Sequence, residues 1–429
     1  MTREMKNSGV EWIGDIPSEW EIVKVKSIFN IGRGRVIAKT ELYDSGYPIY
    51  SSQTKNNGIL GYIGTYDYDV DQLTWTTDGA NAGTVFLRTG KYNCTNVCGT
   101  LALKNNLNCL LYMKYALEYI AIFHKRPDTN GYKIMNNEMA DIKVTAPPLH
   151  EQKRIADFLD SKVTEIDKII SETRASIENY KEYKQSVITE AVTKGLDKNV
   201  PMKDSGIEWI GEIPVDWKVM KIKNACSLKT GSTPSTEHTE WFNGSLKWIT
   251  PCDFNEKYLI EETDRTLSEQ AEIDNVATII PANSVLIIGI GGTAGKVGYI
   301  KEKCSCNQQI TALIPKDITA KYLMYWMIAN TKFLKDTALY TTLPILNNQT
   351  IGTYLLISPN NRRLQGEIVN YLDKQCSEIE FLISEKEALI SNLEEYKKSF
   401  IYEYVTGKKE IFKVNIDNRK DNIYDKQTD

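Results

Sequence analysis

Histidine is nearly absent from this chain, with 3 in 429 residues. That scarcity argues against a histidine-built metal centre and against a histidine general base. His124, His150 and His238 are also scattered, and no serine or cysteine nucleophile motif accompanies them. The 8 cysteines show no framework spacing, and Cys304-x-Cys306 stands alone, so buried reduced thiols are expected rather than a disulfide scaffold or a zinc site. No apolar run is long enough for a membrane span. The most apolar stretch, 276–292, is broken by Pro281, Asn283 and several glycines. The opening residues MTREMKNSGVEW lack an apolar core, so no secretory signal is expected. Basic charge is not in excess either. There are 52 Lys and Arg against 56 Asp and Glu, net −4, which excludes a simple basic coat for nucleic acid but not local basic patches. What is present is a globular composition, 41% hydrophobic and 25% charged, over a length that fits two to four domains.

The chain contains itself twice. SGVEWIGDIPSEWEIVKVK at 8–26 recurs as SGIEWIGEIPVDWKVMKIK at 205–223, identical at 11 of 19 positions, with an offset of 197. The segment 152–193 recurs at 365–406, identical at 20 of 42 positions, with an offset of 213. Between these boxes only traces of register survive. Gly83, Val85, Cys94 and Lys104 fall on Gly295, Val297, Cys306 and Lys316 at offset 212, and Ile134, Asn136 and Asn137 fall on Ile345, Asn347 and Asn348 at offset 211. The second middle segment is therefore longer by about 15 residues (212 − 197), inserted between the Trp box and the Gly-rich box. Similar ends with dissimilar middles imply a shared geometry holding two segments that do different things of the same kind.

The segment 152–193 has no Gly or Pro until Gly195, and its apolar residues recur near the helical period: Ile155, Leu159, Ile166, Ile170, Ile177, Tyr180 and Val187. Its copy carries Ile368, Leu372, Ile379, Leu382, Leu389, Leu393, Tyr396 and Phe400, and Gly195 and Gly407 are natural stops. A helix of about 40 residues would run about 60 Å at 1.5 Å per residue. One apolar stripe on so long a helix needs a partner, and two near-identical helices suggest each other as an antiparallel coiled coil. Thr173 and Lys386 hold matching seam positions, where they are poor core residues. The Trp box reads as turns and short extended pieces punctuated by Gly9, Gly14 and Pro17, with its tryptophans as packing anchors.

The middles read as two mixed α/β (α+β) domains. Residues 20–147 combine β-like runs with a helix at 110–125, and residues 217–358 combine strands with a helix near 320–336. These middles carry 14 basic against 11 acidic residues (+3) and 14 against 13 (+1), whereas 151–200 and 361–410 are −1 and −2. Their loops 51–58, 126–133, 229–235, 306–309 and 341–349 are rich in Arg, Lys, Asn, Gln, Ser and Thr, the usual donors to bases and phosphates, although such loops also serve simply as turns.

Catalytic motifs fail. GIGGTAGK at 289–296 has Ile290 where a phosphate loop needs Gly, and Val297 follows Lys296 where Ser or Thr is required. As a dinucleotide pattern it lacks a clear βαβ unit. Asp128, Asp141 and Lys143 fit a magnesium-dependent nuclease core only loosely, with no counterpart in the second half. The only Pro-Pro is Pro147-Pro148 in Ala-Pro-Pro-Leu, and no Asp/Asn-Pro-Pro-aromatic motif of an amino-methylating enzyme is present.

EWIGDIPSEW and EWIGEIPVDW opening the two halves, together with PPLHEQKRIADFLD at 147–160 leading into the first long helix, carry a resemblance to one family. The chain resembles the specificity subunit of type I restriction-modification systems over about residues 8–407. The second half departs at 358–373, keeping Pro359, Gln365, Ile368 and Leu372 but losing the Glu. The resemblance implies a first target recognition domain with its Trp box at 1–147, a first long spacer helix within 148–200 and a second recognition domain at 201–358. A second long helix within 359–410 and a polar tail at 411–429 would complete the chain.

It further implies a non-catalytic subunit in the cytoplasm that reads a bipartite, asymmetric target in double-stranded DNA. Its long helices would set the spacer and dock two methyltransferase subunits, joined by restriction/translocase subunits. S-adenosylmethionine would sit in the methyltransferase subunits, and ATP and Mg in the restriction subunit. This chain would hold no cofactor and no metal. Candidate DNA contacts are Arg33, Arg35, Gln53, Lys55, Asn56, Arg126, Asn130 and Lys133 in the first domain. In the second they are Lys229, Ser232, Thr233, Lys247, Lys296, Gln308, Thr342 and Asn347. A coiled-coil scaffold presenting two protein- or ligand-binding domains is the alternative of different class.

Overall fold

A computed structural model describes residues 3–411 apart from 130, 256, 337–338 and 341–343. The described residues form two compact units, one within 1–173 and from 388 onward and one within 174–387. Each unit therefore takes part of both long helices, Leu149–Lys194 and Arg362–Val405.

In the first unit the strands Phe29–Arg33, Cys98–Leu103, Gln72–Thr76 and Val85–Arg88 form an antiparallel sheet in that order. Gln72–Thr76 is buried throughout, as a central strand covered on both faces must be. Trp75 lies so close over Gly99 that an added Cβ would meet its ring at 2.2 Å, which explains the glycine in a strand interior. A second sheet has the order Ile59–Ile63, Tyr47–Tyr50, Lys91–Cys94, Tyr68–Asp69, with its central pair parallel. The helix Leu110–Ile120 buries Tyr112, Met113, Ala116, Leu117 and Ile120 in the core.

The second unit repeats this plan. Its first sheet is Cys226–Thr230, Ile310–Pro315, Ser284–Ile288, Val297–Ile300, and its second is Thr266–Leu267, Phe242–Ile249, Cys304–Cys306, Ile279–Ile280. The central pair of the second sheet is again parallel. The extra residues lie between Phe242–Ile249 and Ile279–Ile280, where the short helix Glu269–Ile273 has no counterpart among the described residues of the first unit. The helix expected near 320–336 is two helices, Ala320–Ala329 and Thr331–Asp336. Asn330 divides them, its side-chain amide turning back to the Trp326 carbonyl at 2.7 Å.

Each middle segment begins and ends on one antiparallel pair, Glu21–Lys24 with Lys143–Ala146 and Trp217–Lys221 with Leu355–Pro359. The long helix starts a few residues later. Its start is clamped by a buried glutamine in both units. Gln152 Oε1 accepts from the Cys109 amide at 2.8 Å while its Nε2 donates to the Pro147 carbonyl at 2.8 Å. Gln365 repeats this with the Thr319 amide at 2.9 Å and the Pro359 carbonyl at 3.2 Å. Asp160 and Asp373 accept from Tyr115 and Tyr325, each at 2.9 Å.

Within the first unit the helical segments run antiparallel. Phe158 packs on Tyr404 and Phe400 at 5.0 and 5.8 Å, and farther along Asp167 pairs with Lys397 at 2.7 Å. Within the second, Tyr180 lies 5.7 Å from the Lys386 ammonium and Lys184 pairs with Glu380 at 3.3 Å. The poor core residues are accommodated by polar contacts, Lys386 over Tyr180 and the Thr173 hydroxyl on the Ile169 carbonyl at 2.7 Å.

The Trp boxes are hairpins, Met5–Asn7 with Asp15–Pro17 and Met202–Asp204 with Glu212–Pro214. Each receives the C-terminal end of a long helix. Gly407, at φ +72°, lies against Pro17 and Trp20, and Gly195, at φ +80°, against Trp217. Lys408 donates to the Ile13 carbonyl at 2.9 Å and Lys194 to the equivalent Ile210 carbonyl at 3.0 Å. The glycine stops thus combine a left-handed helix end with room for an indole. Among the described residues no helix is long and apolar enough to cross a membrane.

Candidate nucleic-acid interface

In the first unit, three of the loops join along one edge of the domain. Arg33 ends its strand with Nη2 on the Thr77 hydroxyl at 3.0 Å and 3.6 Å from the Asp78 carboxylate. Lys133 approaches the same Asp78 and also Asp128, at 3.1 Å each. These two carboxylates raise the lysine's pKa, and Lys133 in turn lowers that of Asp128. Arg126 follows, 2.7 Å from Glu138 and 3.9 Å from Asp128. The hairpin Arg126–Asp128 with Gly131–Lys133 is tied to the Thr77–Thr84 loop by Gly79 and Tyr132, whose amides and carbonyls exchange bonds. Asn81 of that loop reaches the Thr54 hydroxyl at 3.3 Å, which brings in the 51–58 loop.

Arg33, Lys133 and Arg126 are therefore brought together, and Gln53, Lys55 and Asn56 adjoin them through Thr54. Gln53 bonds the Ile59 carbonyl of its own loop. Lys55 and Asn56 are exposed, Asn56 at φ +49°. Arg35 stands apart, pairing with Asp67 at 2.9 Å and Glu41 at 3.9 Å. Asn130 lies outside the described residues.

In the second unit, Thr230, next to Lys229, accepts from Asn348 at 2.8 Å, and Asn348 accepts from Thr311 at 2.7 Å. Asn347 caps the helix Asn348–Thr353 by accepting from the Thr350 amide at 2.8 Å. Gly289 holds the Leu346 amide through its carbonyl and the Gln309 carbonyl through its amide. Lys296, Gln308 and Asn347 therefore sit in loops sharing one edge, beside the end of the strand that carries Lys229. Lys229 also donates to the Ile279 carbonyl at 3.1 Å. The Ser232 hydroxyl is built into the fold, between the Val276 carbonyl and the Thr278 amide. Thr233 is exposed, and Lys247 pairs with Glu302 at 2.8 Å. Thr342 lies outside the described residues.

The Gly-rich run 289–296 connects the antiparallel strands Ser284–Ile288 and Val297–Ile300. It is a hairpin loop with no helix behind it, so it lacks the helix N-terminus that a phosphate loop uses. Asp141 and Asp128, paired in the nuclease reading, hold different partners. Asp141 accepts from Lys24 and Lys26, both at 2.9 Å, which hold it down at about 2. Its ordinary value is 3.8, so the contribution of this pair is complete above about pH 4 and lost as pH falls through about 2. The carboxylate is exposed, so the effect on stability is small. A carbon-detected NMR titration should place the Asp141 midpoint well below the ordinary value, and a midpoint near 4 would contradict the pairing. Burial pushes the Cys306 and Cys226 thiols up to about 12, where they are poor nucleophiles.

Sequence reasoning missed Asp78, Thr54 and Asn81, and also Arg88. Arg88 is 1% exposed, stacks 3.6 Å over Tyr50 and supports the 51–58 loop through the Asn57 carbonyl at 2.8 Å. The usable signal for the Thr77–Thr84 loop was the Gly83/Gly295 register.

Known proteins of similar sequence and fold point the same way. A family model described as the type I restriction modification DNA specificity domain matches residues 17–179 and again 214–391. A putative type I specificity subunit of Mycoplasma pneumoniae is 39% identical over 142 residues, 33% of this chain and 59% of that protein. The MjaIX type I restriction enzyme specificity subunit of Methanocaldococcus jannaschii is 33% identical over 171 residues, 38% of this chain and 39% of that protein. This chain thus spans about two-fifths to three-fifths of these relatives' length. A chain from a solved structure concerned with complex assembly and conformational transition of the type I R-M system superposes with a TM-score of 0.67, covering 91% of this chain and 98% of that one. At 13% identity that likeness is one of fold.

Proposed function

The chain belongs to the type I restriction-modification DNA specificity family, and from that membership we propose that it is a non-catalytic specificity subunit reading a bipartite, asymmetric DNA target, one half with each unit. The observation that carries the proposal is the double match: the family model falls once on each copy of a fold that the chain builds twice. A repeated chain also offers two equivalent faces, which suits the docking of two methyltransferase subunits on the repeated helices. Restriction/translocase subunits would join that assembly. S-adenosylmethionine would belong to the methyltransferase partners, ATP and Mg to the restriction partner, and the complex would act in the cytoplasm.

The charge distribution supports binding in an assembly. Many candidate cations are already engaged by carboxylates of their own unit, and the net charge is −4. Counterion release from so few free cations gives weak affinity for the isolated chain. Partner subunits closing around the duplex would supply the remainder.

Exchange of residues 20–147 for the same segment of another family member tests the reading. The complex is reconstituted with its methyltransferase subunit, and methylated adenines are mapped on genomic DNA. One half of the target should change and the other half stay. An unchanged target would overturn the proposal and return weight to a scaffold of two protein-binding domains.

A further inference from the structure

The loops Thr77–Thr84 and Gly289–Lys296 share one hydrogen-bond frame, position for position at offset 212. Thr76 N–H donates to the Thr84 carbonyl and Ile288 N–H to the Lys296 carbonyl, each at 3.0 Å. Gly83 donates to the Thr76 carbonyl and Gly295 to that of Ile288, each at 2.8 Å. Thr84 donates to Asn81 and Lys296 to Thr293, each at 3.2 Å. The loops are also anchored alike. Thr77 N–H donates to the Val97 carbonyl and Gly289 N–H to that of Gln309, while Ile134 N–H reaches the Thr77 carbonyl and Leu346 N–H that of Gly289.

The frame explains which residues the two loops share. Gly79 and Gly291 are at φ +93° and +109°, Gly83 and Gly295 at +90° and +87°, conformations that favour glycine. Ala82 and Ala294 are buried beneath the turn. The positions that face outward differ: Asp78 against Ile290, Ala80 against Gly292, Asn81 against Thr293, Thr84 against Lys296. One backbone scaffold therefore carries two different sets of outward groups, at the edge where the candidate cations gather.

We propose that these two hairpin loops are the base-reading elements of their units, with Asn81 and Thr293 as the specificity-determining positions. The proposal rests on the DNA-recognition reading above and deepens it. An asparagine amide matches the acceptor and donor of adenine's major-groove edge in one bidentate contact. A threonine offers a hydroxyl to either partner and a methyl to thymine. In the first unit Asp78 holds Arg33 and Lys133 beside the loop, cations that can pass to phosphates when DNA arrives.

The test is a pair of loop grafts in the full chain, reconstituted with the methyltransferase subunit and read by mapping methylated adenines. One graft places Gly-Thr at 80–81 (A80G with N81T), and the other places Ala-Asn at 292–293 (G292A with T293N). Each should alter or relax one base position, on the order of tenfold in preference, in one half of the target and leave the other half intact. Asn81→Ala should make the same position degenerate. If that variant loses methylation with lowered melting temperature, the A80G/N81T graft, which keeps the frame's glycine and alanine positions, decides by its motif. Unchanged motifs in both grafts overturn the assignment of these loops. The exchange of residues 20–147 then separates the two claims: a changed half-site with unchanged grafts sinks the loop assignment alone, whereas an unchanged half-site sinks the recognition reading itself.

Discussion

Trp20→Ala is expected to destabilise the chain by about 4 kcal/mol, within the range for a fully buried aromatic cut to alanine. Trp20 is 0% exposed. Its ring carries the end of the second long helix, since a Cβ on Gly407 would come within 3.1 Å of it. Its indole N–H donates to Glu151 at 2.9 Å, and Arg3 both stacks 5.3 Å above the ring and pairs with Glu151 at 2.7 Å. Removal of the ring opens a cavity, strips Glu151 of a donor and leaves the helix end without its seat. Trp20→Phe separates these effects. It keeps most of the volume and should cost about 1–2 kcal/mol for the lost hydrogen bond and the poorer fit. The second unit supplies the control. Leu364 stands where Glu151 does and packs into the apolar core, so it offers no carboxylate to Trp217. Trp217→Phe should therefore cost less than Trp20→Phe. Urea midpoints with unchanged slopes would measure both, and equal costs for the two Phe variants would refute the role given to Glu151.

That pair of tryptophans also shows where the sequence was readable and where it was not. The repeat, the helices and their stops at Gly195 and Gly407 were legible because each rests on a local pattern: a spacing, a helical period, or a glycine where the chain must turn left-handed. The tryptophans could be read as anchors for the same reason, although the helix end that seats on Trp20 comes from Gly407, far along the chain, while Trp217 takes the nearby Gly195. The second box lacks the Glu, and the helix starts there without it. What changed was a network of three side chains, for which Leu364 substitutes apolar packing.

The candidate interface was less legible. Basic residues could be counted, but their carboxylate partners come from tertiary register: Glu138 for Arg126, Asp67 for Arg35, Glu302 for Lys247. The short helices Asn136–Asp141 and Asn348–Thr353, each six residues, carry too little periodicity to be read. The Thr77–Thr84 loop was marked in the sequence only by the Gly83/Gly295 register, because most of its equivalence to 289–296 lies in backbone bonds.

The glutamine of the 147–160 motif leads to the second large effect. Gln152→Leu is expected to destabilise the chain by about 3 kcal/mol, although leucine is more apolar and of similar size. Gln152 is 1% exposed and spends its whole amide on three groups: the Cys109 N–H at the start of the helix Leu110–Ile120, the Pro147 carbonyl and the Asn108 side chain at 3.1 Å. Leucine would take the partner from a partly buried N–H and a buried C=O, about 1–3 kcal/mol each before relaxation. Gln152→Glu discriminates this account from simple packing. A carboxylate keeps the bond from Cys109 but faces the Pro147 and Asn108 oxygens, so it should be at least as damaging at neutral pH. Protonation restores a donor toward Pro147, so the penalty should shrink as pH falls through the raised pKa expected for a carboxyl buried among oxygens. Hydrogen exchange at the Cys109 amide is the direct reading: it should quicken in Gln152→Leu and stay protected in Gln152→Glu. Equal protection in both variants would mean that the helix start is held by packing alone, and that the glutamine in this motif serves something other than the joint between the mixed α/β domain and the long helix.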